Sequence, residues 1–504
     1  MAVTEPERLT QSQRIGYALG SFGTGGFGTV PGLLLLYYLT DNLGITAGLA
    51  GLIVAGPKFW DVIIAPVLGS FSDRSMSRRG TRRRWLLLGA LTLPPLFALM
   101  FAVPPDLVPG GGAGVWVAVT FTLAITAFAT FQVSYLAMPA EITDSYSERT
   151  RLMAWRIVFL TLAVLLFGAG APLLVSAGGD GLSGYRLMGV VLGAVLMVFM
   201  LIGWWATRDT KQWSAAATEP TMRERFSAFK ENRDFSVLLG AFVIQALAIG
   251  AMLASAPFVA EYILGDAGLT TILFVCLVGP AVLVMPVWQA VARRWGKHRG
   301  FLISSLIFLA ATVGLIGINV LPVGVVYALV ALVGVAYAGL QMFPLAMMPD
   351  TIAADAALHG HQRAGLFTGL WTAGETGGLA VGPGLVGFVL GFFGFVSSTS
   401  DVTVDQPDSA LTGIALSFSV LPAVLALLSL PLVLAYRLSA DRLAQILHGS
   451  DKPDHDAAEA PNPGGGSSDA PNPPADRTAN PNEPNEPNEP NEPNEPNEPN
   501  EESP

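Results

Sequence analysis

An acid and a base stand three residues apart inside a long apolar segment of this sequence. Lys58-Phe-Trp-Asp61 lies within residues 47–70, a segment with no other charged side chain. A charged group in the interior of a bilayer costs at least ~2.5–3.5 kcal/mol, so it is rare there without a function. Asp61 is therefore predicted to bind a coupling cation, with Lys58 as the base that controls its charge. The alternative is a purely structural pair on one helix face.

Two more charges fall in apolar segments. Arg156 lies near the start of residues 154–176, where it is predicted to contact a solute, although it could instead extend to the membrane interface. Glu375 lies within residues 365–396 without a basic neighbour, which favours a place in a transport pathway over packing against a hydroxyl or backbone group. Gln341 is a neutral candidate for the pathway, and a helix–helix hydrogen bond is its simpler interpretation.

The elements that must position these residues are membrane spans, because ~20 apolar residues cross the ~30 Å hydrocarbon layer of a bilayer. The composition agrees, since 52% of the 504 residues are hydrophobic and only 13% are charged. Twelve spans are predicted, at about 15–39, 47–70, 85–104, 114–139, 154–176, 184–206, 235–263, 269–292, 300–320, 323–348, 365–396 and 411–436.

Basic residues are concentrated in alternate connections between these spans. The connection after the second span carries Arg74, Arg78, Arg79, Arg82, Arg83 and Arg84, whereas the opposite connections hold almost none, Arg186 being the exception. Loops rich in Lys and Arg stay on the cytoplasmic side of a membrane. The pattern predicts a multi-pass protein of the cytoplasmic (inner) membrane with both termini in the cytoplasm.

A repeated loop divides the chain into two halves. Gly69-Ser-Phe-Ser-Asp73-Arg74 follows the second span, and the similarly basic stretch 288–299 follows the eighth. Repeats of this kind are typical of the major facilitator fold, an all-α membrane protein whose solute site lies between two six-helix halves. The predicted parts are an N-terminal half (1–206), a cytoplasmic linker (207–234) with a short surface helix at 221–232, a C-terminal half (235–440) and a disordered tail (441–504).

The tail and the composition exclude several classes of function. Seven Pro-Asn-Glu triplets begin at Pro481, and such a segment cannot form a core. The net charge of −10 reflects the many unpaired acids of the last fifty or so residues, and the sequence pI of about 5.0 argues against a nucleic-acid partner. Cys276 is the single cysteine, so no intrachain disulfide can form. No nucleotide-binding loop, Ser/His/Asp arrangement or Cys/His ligand set is found, so we expect neither an enzyme nor a resident metal or cofactor.

From about Leu9 to Arg437 the chain resembles the glycoside–pentoside–hexuronide:cation symporters, the major facilitator branch typified by the melibiose permease. The order and spacing of several short motifs carry the resemblance: Gly16-Tyr-Ala-Leu-Gly20, Tyr37-Tyr38-Leu-Thr-Asp41, Trp60-Asp61, Met138-Pro-Ala-Glu141-Ile-Thr, Glu148-Arg149-Thr-Arg151-Leu, Asn232-Arg233-Asp-Phe235, Ala256-Pro257, Met348-Pro-Asp350 and Gly365-Leu-Phe-Thr-Gly369-Leu-Trp371. The resemblance implies a secondary transporter that moves a solute together with Na⁺, Li⁺ or H⁺ by alternating access.

The resemblance also implies site residues, and this chain keeps only some of them. The first cation-binding carboxylate matches Asp61, the basic residue before the tryptophan matches Lys58, and the arginine of the fifth span matches Arg156. The other family positions hold uncharged residues: Ala65 and Phe131 at the two further cation-site carboxylates, Gly25 at the sugar-binding acid of the first span, and Thr376, beside Glu375, at the lysine of the eleventh.

These replacements change the expected chemistry. Na⁺ needs several oxygen ligands, so a single carboxylate beside a base suits H⁺ better. A cavity bordered by Phe22, Phe27, Phe131 and Tyr135 would suit a solute with fewer hydroxyls than a simple sugar, unless these rings face lipid instead.

Charged residues at the predicted cytoplasmic ends of the spans suggest a gate. Asp73, Glu141 and Asp350 are expected to form salt bridges with Arg149, Arg151 or loop arginines such as Arg74. The whole pattern predicts a monomeric symporter of a small organic solute. Two alternatives remain open, namely an uncoupled uniporter or exporter of an amphipathic solute, and a non-transporting scaffold or sensor that recruits partners through its tail.

Overall fold

The computed structural model describes residues 9–79, 81–108, 111–143, 146–208, 232–359, 364–399 and 404–450. This part of the chain is helical apart from short connections, with one isolated β-bridge between Leu43 and Thr399. Fifteen α-helices are labelled in chain order: α1 (Gln11–Leu19), α2 (Ser21–Val30), α3 (Ala47–Arg79), α4 (Arg83–Met100), α5 (Gly111–Ile142), α6 (Tyr146–Ala177), α7 (Gly181–Ala206), α8 (Arg233–Phe258), α9 (Leu269–Trp295), α10 (Lys297–Gly314), α11 (Val323–His359), α12 (Ala364–Phe392), α13 (Asp408–Phe418), α14 (Val420–Ala435) and α15 (Ala440–Ser450).

Ten segments of the described chain are long and apolar enough to cross a membrane. The other two predicted spans are not among these ten segments. They are the first span, which is divided into several helical pieces from Gln11 to Asn42, and the third span, which is α4. The count of twelve therefore stays a prediction. The multi-pass helical architecture itself is confirmed.

The first span is divided because its sequence cannot sustain one regular helix. α1 begins with a capping box, in which Thr10 and Gln13 satisfy each other's backbone N–H groups. Pro31 lacks a backbone N–H, and π-helical turns follow at Pro31–Leu35 and Tyr38–Asn42. The span consequently runs to Asn42, a few residues beyond its predicted end.

The two halves meet at one end of the bundle, which we call the far end, opposite the termini end that carries Gln11 and α15. Glycines bring α3 and α12 close together there, since a Cβ on Gly387 would lie 2.5 Å from the Ala47 carbonyl oxygen and 2.8 Å from Gly51 Cα. α6 and α9 also touch there, where Thr271 Oγ1 donates to the Ala169 carbonyl at 3.3 Å.

Toward the termini end, fewer residues of α3 and α6 are buried. In α3, five of the seven residues from 51 to 57 are buried, but Gly69, Ser72 and Met76 are the only buried residues described from 58 to 78. In α6, Leu152 is the only residue between 151 and 162 that is buried, whereas several are buried from Ala163 onward. The halves are thus closed against each other at the far end and separated toward the termini end.

The disordered tail is predicted to begin at residue 441, but the structure has a helix, α15, at Ala440–Ser450. α15 is amphipathic, and Leu443 and Ile446 pack against the hydrophobic core. Packing of these two side chains orders the segment, although the composition of the tail that follows it predicts disorder. The repeat tail from residue 451, most of the linker and the helix predicted at 221–232 lie outside the described residues, Asn232 excepted.

Candidate functional site

Asp61 lies near the middle of α3 and is half-buried. Its Oδ1 atom is enclosed but makes no hydrogen bond to any residue that the structure describes. Lys58 is close enough to act on it electrostatically, yet no ion pair joins the two among the described residues. The permanent structural pair that the sequence left open is therefore absent from this conformation.

Neighbouring residues hold the Asp61 turn against α5. Trp60 Nε1 donates to Thr126 Oγ1 at 3.0 Å, and Thr126 lies at the midpoint of α5. Pro57 and Pro66 flank the turn within α3. A proline interrupts the ladder of backbone hydrogen bonds and weakens the helix locally. Asp61 thus lies on a helix segment that is anchored at one point and locally weakened on both sides.

Arg156 lies beside a hydrogen-bonded tyrosine pair. Its guanidinium carbon is 6.0 Å from the centroid of the Tyr135 ring, and its Nε atom is enclosed without a hydrogen bond to a described residue. Tyr135 donates from its hydroxyl to the Tyr17 carbonyl at 2.7 Å and shares a 2.9 Å hydrogen bond with Ser21. The pair therefore links the first, fourth and fifth spans beside a cation that keeps hydrogen-bonding capacity for a ligand.

The aromatic cavity predicted from the sequence is not present. Phe131 is 1% exposed, and a Cβ on Gly89 would meet its Cβ at 2.6 Å, so its ring packs inside the N-terminal half. Phe27 is also buried, 4.9 Å from Phe128 between ring centroids, and Phe22 stacks on Phe199 at 4.2 Å. These rings fill the bundle and face neither lipid nor a solute in this conformation.

Gly25 is likewise a packing position. A Cβ there would lie 3.0 Å from Ala163 Cβ and 3.1 Å from Leu160 Cδ1 on α6. An acid at this position would have no room, so the absence of the family's sugar-binding acid agrees with close packing of α2 on α6. Neither Gly25 nor Phe131 can touch a solute here.

In the C-terminal half, Tyr337, Gln341 and Glu375 form a cluster of polar side chains. Gln341 Nε2 donates to the Tyr337 hydroxyl at 3.2 Å, and the Glu375 carboxyl lies close to the Gln341 side chain. The Gln341 Oε1 atom is enclosed without a hydrogen bond to any described residue. Thr376 is half-buried on the next position of α12. Gln341 on α11 and Glu375 on α12 both lie near the middle of their helices.

The packing of α3 on α12 places Asp61 and Glu375 at the same depth in the bundle. Gly51 approaches the Gly384 backbone, where its Cβ would lie 2.9 Å from the carbonyl oxygen. With 1.5 Å of rise per residue, Asp61 and Glu375 both lie ~14 Å from this contact toward the termini end. Each half thus contributes one carboxyl group at about mid-depth, where the halves begin to separate.

Three of the predicted gate residues, Asp73, Arg151 and Asp350, form ion pairs within their own half. Asp73 pairs with the loop arginine Arg82, as expected, and Arg74 lies over the Phe71 ring at 5.8 Å. Asp350 pairs instead with Lys297 at 2.6 Å, so its expected pairing with Arg149, Arg151 or a loop arginine is wrong for this conformation. The reason is that the halves are apart at this end, and Lys297 is a cation of the same half.

Glu148 is a functional candidate that the sequence reasoning missed. It accepts from Arg14 at 2.9 Å and from Arg151 at 3.4 Å, and its side chain is buried. Arg149 donates through Nε to the Thr143 carbonyl at 2.8 Å. Glu148 does stand in one of the motifs that carry the family resemblance, which was the available signal. The side chain of Glu141 lies outside the described residues.

Two helical halves that close at one end around charged residues at mid-depth define a membrane transporter of the major facilitator class. Residues 16–440 match the family described as MFS/sugar transport protein, and the chain belongs to that family. It is a multi-pass membrane transporter, and curated relatives of the chain are symporters and sugar or glycoside carriers.

Three comparisons illustrate the relationship. The Glucuronide carrier protein homolog of Escherichia coli (strain K12) is 27% identical over 88% of this chain and 95% of its own length. An uncharacterized symporter of Synechocystis sp. is 25% identical, covering 85% of this chain and 94% of its own. The crystal structure of a D-xylose-proton symporter superposes with a TM-score of 0.60 over 85% of this chain and 98% of that one at 13% identity, which shows a common fold.

Proposed function

We propose that this transporter is a proton-coupled symporter of a small hydroxylated, sugar-like solute. The observation that carries the proposal is Asp61, a carboxyl group at mid-depth whose enclosed Oδ1 has no hydrogen-bond partner among the described residues. Such a group can exchange a proton with whichever side of the membrane the gap between the halves reaches. Protonation removes its charge, and with it the electrostatic cost of closing the halves over the site.

Proton coupling is preferred to sodium coupling because of the donor set. A sodium ion needs several oxygen ligands, and the two further family carboxylates are replaced by Ala65 and Phe131. The Phe131 ring is buried in packing, which leaves no space there for a substitute ligand. Lys58 also acts on Asp61 and would repel a bound cation, whereas a proton only changes the charge of the carboxyl group.

The solute class follows from what lies at mid-depth between the halves. With those aromatic rings packed inside the N-terminal half, the site would be formed by polar and charged side chains, namely Lys58, Asp61, Arg156, Gln341 and Glu375. Arg156 and Gln341 keep unpaired hydrogen-bonding atoms among the described residues, as a site for a hydroxylated solute requires. The carriers among the relatives support a sugar-like solute over an apolar one.

The arrangement in the membrane belongs to the same proposal. The termini end, which carries the basic connections, would face the cytoplasm of an inner membrane. Residues 1–206 and 235–440 would rock as two units joined by residues 207–234, with the tail following, and a single protomer would suffice. Asp73, Arg74, Glu141, Arg149, Arg151 and Asp350, together with Glu148, would re-pair across the halves when the termini end closes.

Transport by purified protein in proteoliposomes tests the proposal. The wild type and Asp61→Asn are compared with labelled xylose, glucuronate and a methyl glycoside as probes, under an imposed proton gradient or an imposed sodium gradient. We expect the proton gradient alone to drive accumulation by the wild type. Asp61→Asn should lose accumulation by at least ~10-fold yet keep solute exchange, because a neutral amide mimics the protonated carboxyl. Accumulation driven by sodium, or an unaffected Asp61→Asn variant, would contradict proton coupling through Asp61.

A further inference from the structure

Asp41 is a buried acid at the far end of the bundle, away from the mid-depth site. It lies in the π-helical turn Tyr38–Asn42 that ends the divided first span, and it is 7% exposed. No lysine or arginine pairs with it among the described residues. Its carboxyl group must therefore be stabilised by hydrogen-bond donors.

The donors come from both halves of the molecule. The Tyr262 hydroxyl, on the turn that follows α8 in the C-terminal half, donates to Asp41 Oδ1. Thr40 donates to Oδ2 from within the N-terminal half. Tyr262 itself is positioned by an edge-on contact with Phe395, whose ring centroid is 5.6 Å away. One carboxyl group thus accepts from a side chain on each side of the interface.

Backbone bonds beside Asp41 join the same two halves. The Ser398 N–H donates to the Thr40 carbonyl at 2.9 Å, and Ser397 Oγ donates to the Ile45 carbonyl at 2.8 Å. Leu43 and Thr399 form the isolated antiparallel bridge. The segment after α12 therefore lies along the end of the first span like a short strand, and Asp41 is at the centre of this contact.

A cavity of about 610 Å³ adjoins the contact, and Asp41 and Tyr262 are part of its lining. Among the described residues, the lining carries three further acids, Asp180, Glu261 and Asp405, and no lysine, arginine or histidine. Because no base lines the cavity, the hydroxyl donors are the groups that offset the Asp41 carboxylate. A charge-assisted hydrogen bond of this kind is roughly twice as strong as a neutral one.

We propose that Asp41 is the latch of the far-end gate, closed by the hydroxyl of Tyr262. The bond crosses the interface between the halves, so it must break when the far end opens and re-form when it closes. The latch would hold the conformation described here, with the far end shut and the mid-depth site open to the termini end. This inference rests on alternating access in the proposed function, but it does not depend on the coupling ion or the solute.

Distance measurements between spin labels test the latch without any solute. Labels replace Asp106 of the N-terminal half and Val320 of the C-terminal half, both exposed at the far end, in the full chain with Cys276→Ser. Tyr262→Phe deletes one hydroxyl and nothing else. Losing a hydrogen bond to a charged group should raise the fraction of molecules whose far end is widened roughly 10-fold.

Two further variants complete the test. Asp41→Ala should produce a similar shift, and the double variant should add little to either single change, because both remove the same bond across the interface. Tyr38→Phe is the matched control, since it deletes a buried hydroxyl of the same turn whose bond, to the Phe101 carbonyl at 3.2 Å, stays within the N-terminal half. It should leave the distances unchanged.

The latch is overturned if Tyr262→Phe leaves the distance distribution as in the wild type, or if Tyr38→Phe widens it equally. Since neither solute nor ion gradient is present, a shift in Tyr262→Phe would support the latch even if the Asp61 variant showed proton coupling to be wrong. Conversely, proton-coupled uptake with unchanged distances in every variant would overturn the latch and leave the proposed function standing.

Discussion

Asp61 and Glu375 lie at the same depth on helices that belong to opposite halves, yet their surroundings differ. Asp61 has an enclosed oxygen without a hydrogen-bond partner among the described residues and a lysine, Lys58, nearby, whereas Glu375 lies close to the Gln341 amide. A carboxyl group beside an amide can accept from a solute hydroxyl to which the amide also bonds. We therefore expect a proton site at Asp61 in the N-terminal half and a solute contact at Glu375 in the C-terminal half.

Glu375→Gln should therefore weaken solute binding while leaving proton coupling in place. The amide accepts hydroxyl donors less strongly than a carboxylate does, so the apparent affinity should fall by roughly 10-fold. Uptake kinetics in proteoliposomes would show a raised KM with little change in the maximal rate. Thr372→Val is the control, because Thr372 is exposed one turn earlier on α12. Loss of gradient-driven accumulation at saturating solute would instead assign Glu375 to coupling.

At the scale of the elements, closure of the far end depends on two helices that touch through glycines. Gly51 on α3 and Gly384 and Gly387 on α12 bring the backbones close enough that any side chain would push them apart. Small residues allow such close packing in a membrane, where there is no hydrophobic driving force between helices. The contact thereby defines the depth at which the halves begin to diverge.

Gly387→Val should shift the molecule toward a conformation with the far end open. Its Cβ would lie 2.5 Å from the Ala47 carbonyl oxygen, a separation that backbone atoms cannot relieve without moving the helix. The spin-label distance across the far end should widen and net uptake should fall. Gly377→Val is the matched control on the same helix, because its Cβ would meet nothing within 4 Å. Equal widening in both variants would show that the effect comes from helix propensity rather than from the interface.

At the scale of the whole molecule, orientation follows from the basic connections and can be tested in cells. Single cysteines replace Asp441 on α15 and Val320 in the connection between α10 and α11, with Cys276→Ser as the background. A membrane-impermeant maleimide applied to intact cells should label the cysteine at 320 and leave the one at 441 unlabelled until the cells are broken. The reverse labelling would invert the proposed topology.

The Pro-Asn-Glu tail provides the test of the scaffold alternative. A chain ending at Ser450 keeps α15 and its packing through Leu443 and Ile446, so it should fold and transport at the wild-type rate. Truncation before α15, after Ser439, is the informative comparison, because it removes buried side chains and should lower thermal stability. If removal of the tail alone abolished the cellular function while uptake in vesicles persisted, the tail would act by recruiting a partner.

The sequence by itself determined the properties that depend on composition and chain order. Long apolar segments must cross a bilayer, basic connections must stay on one side, and an acid such as Asp61 inside a span is too costly to be incidental. The motifs from Gly16 to Trp371 then led to the family. These inferences need no knowledge of which helices touch, and for that reason they could be drawn from one chain.

Only the tertiary structure decided which side chains share a space. A sequence cannot show that Phe131 packs against Gly89 rather than lining a cavity, because both arrangements place the ring on an apolar helix face. Nor can it pair Asp350 with Lys297 or Asp41 with Tyr262, which lie 53 and 221 residues apart in the chain. Such contacts depend on how the two halves pack in one conformation, and the proposed solute site and the proposed latch both rest on them.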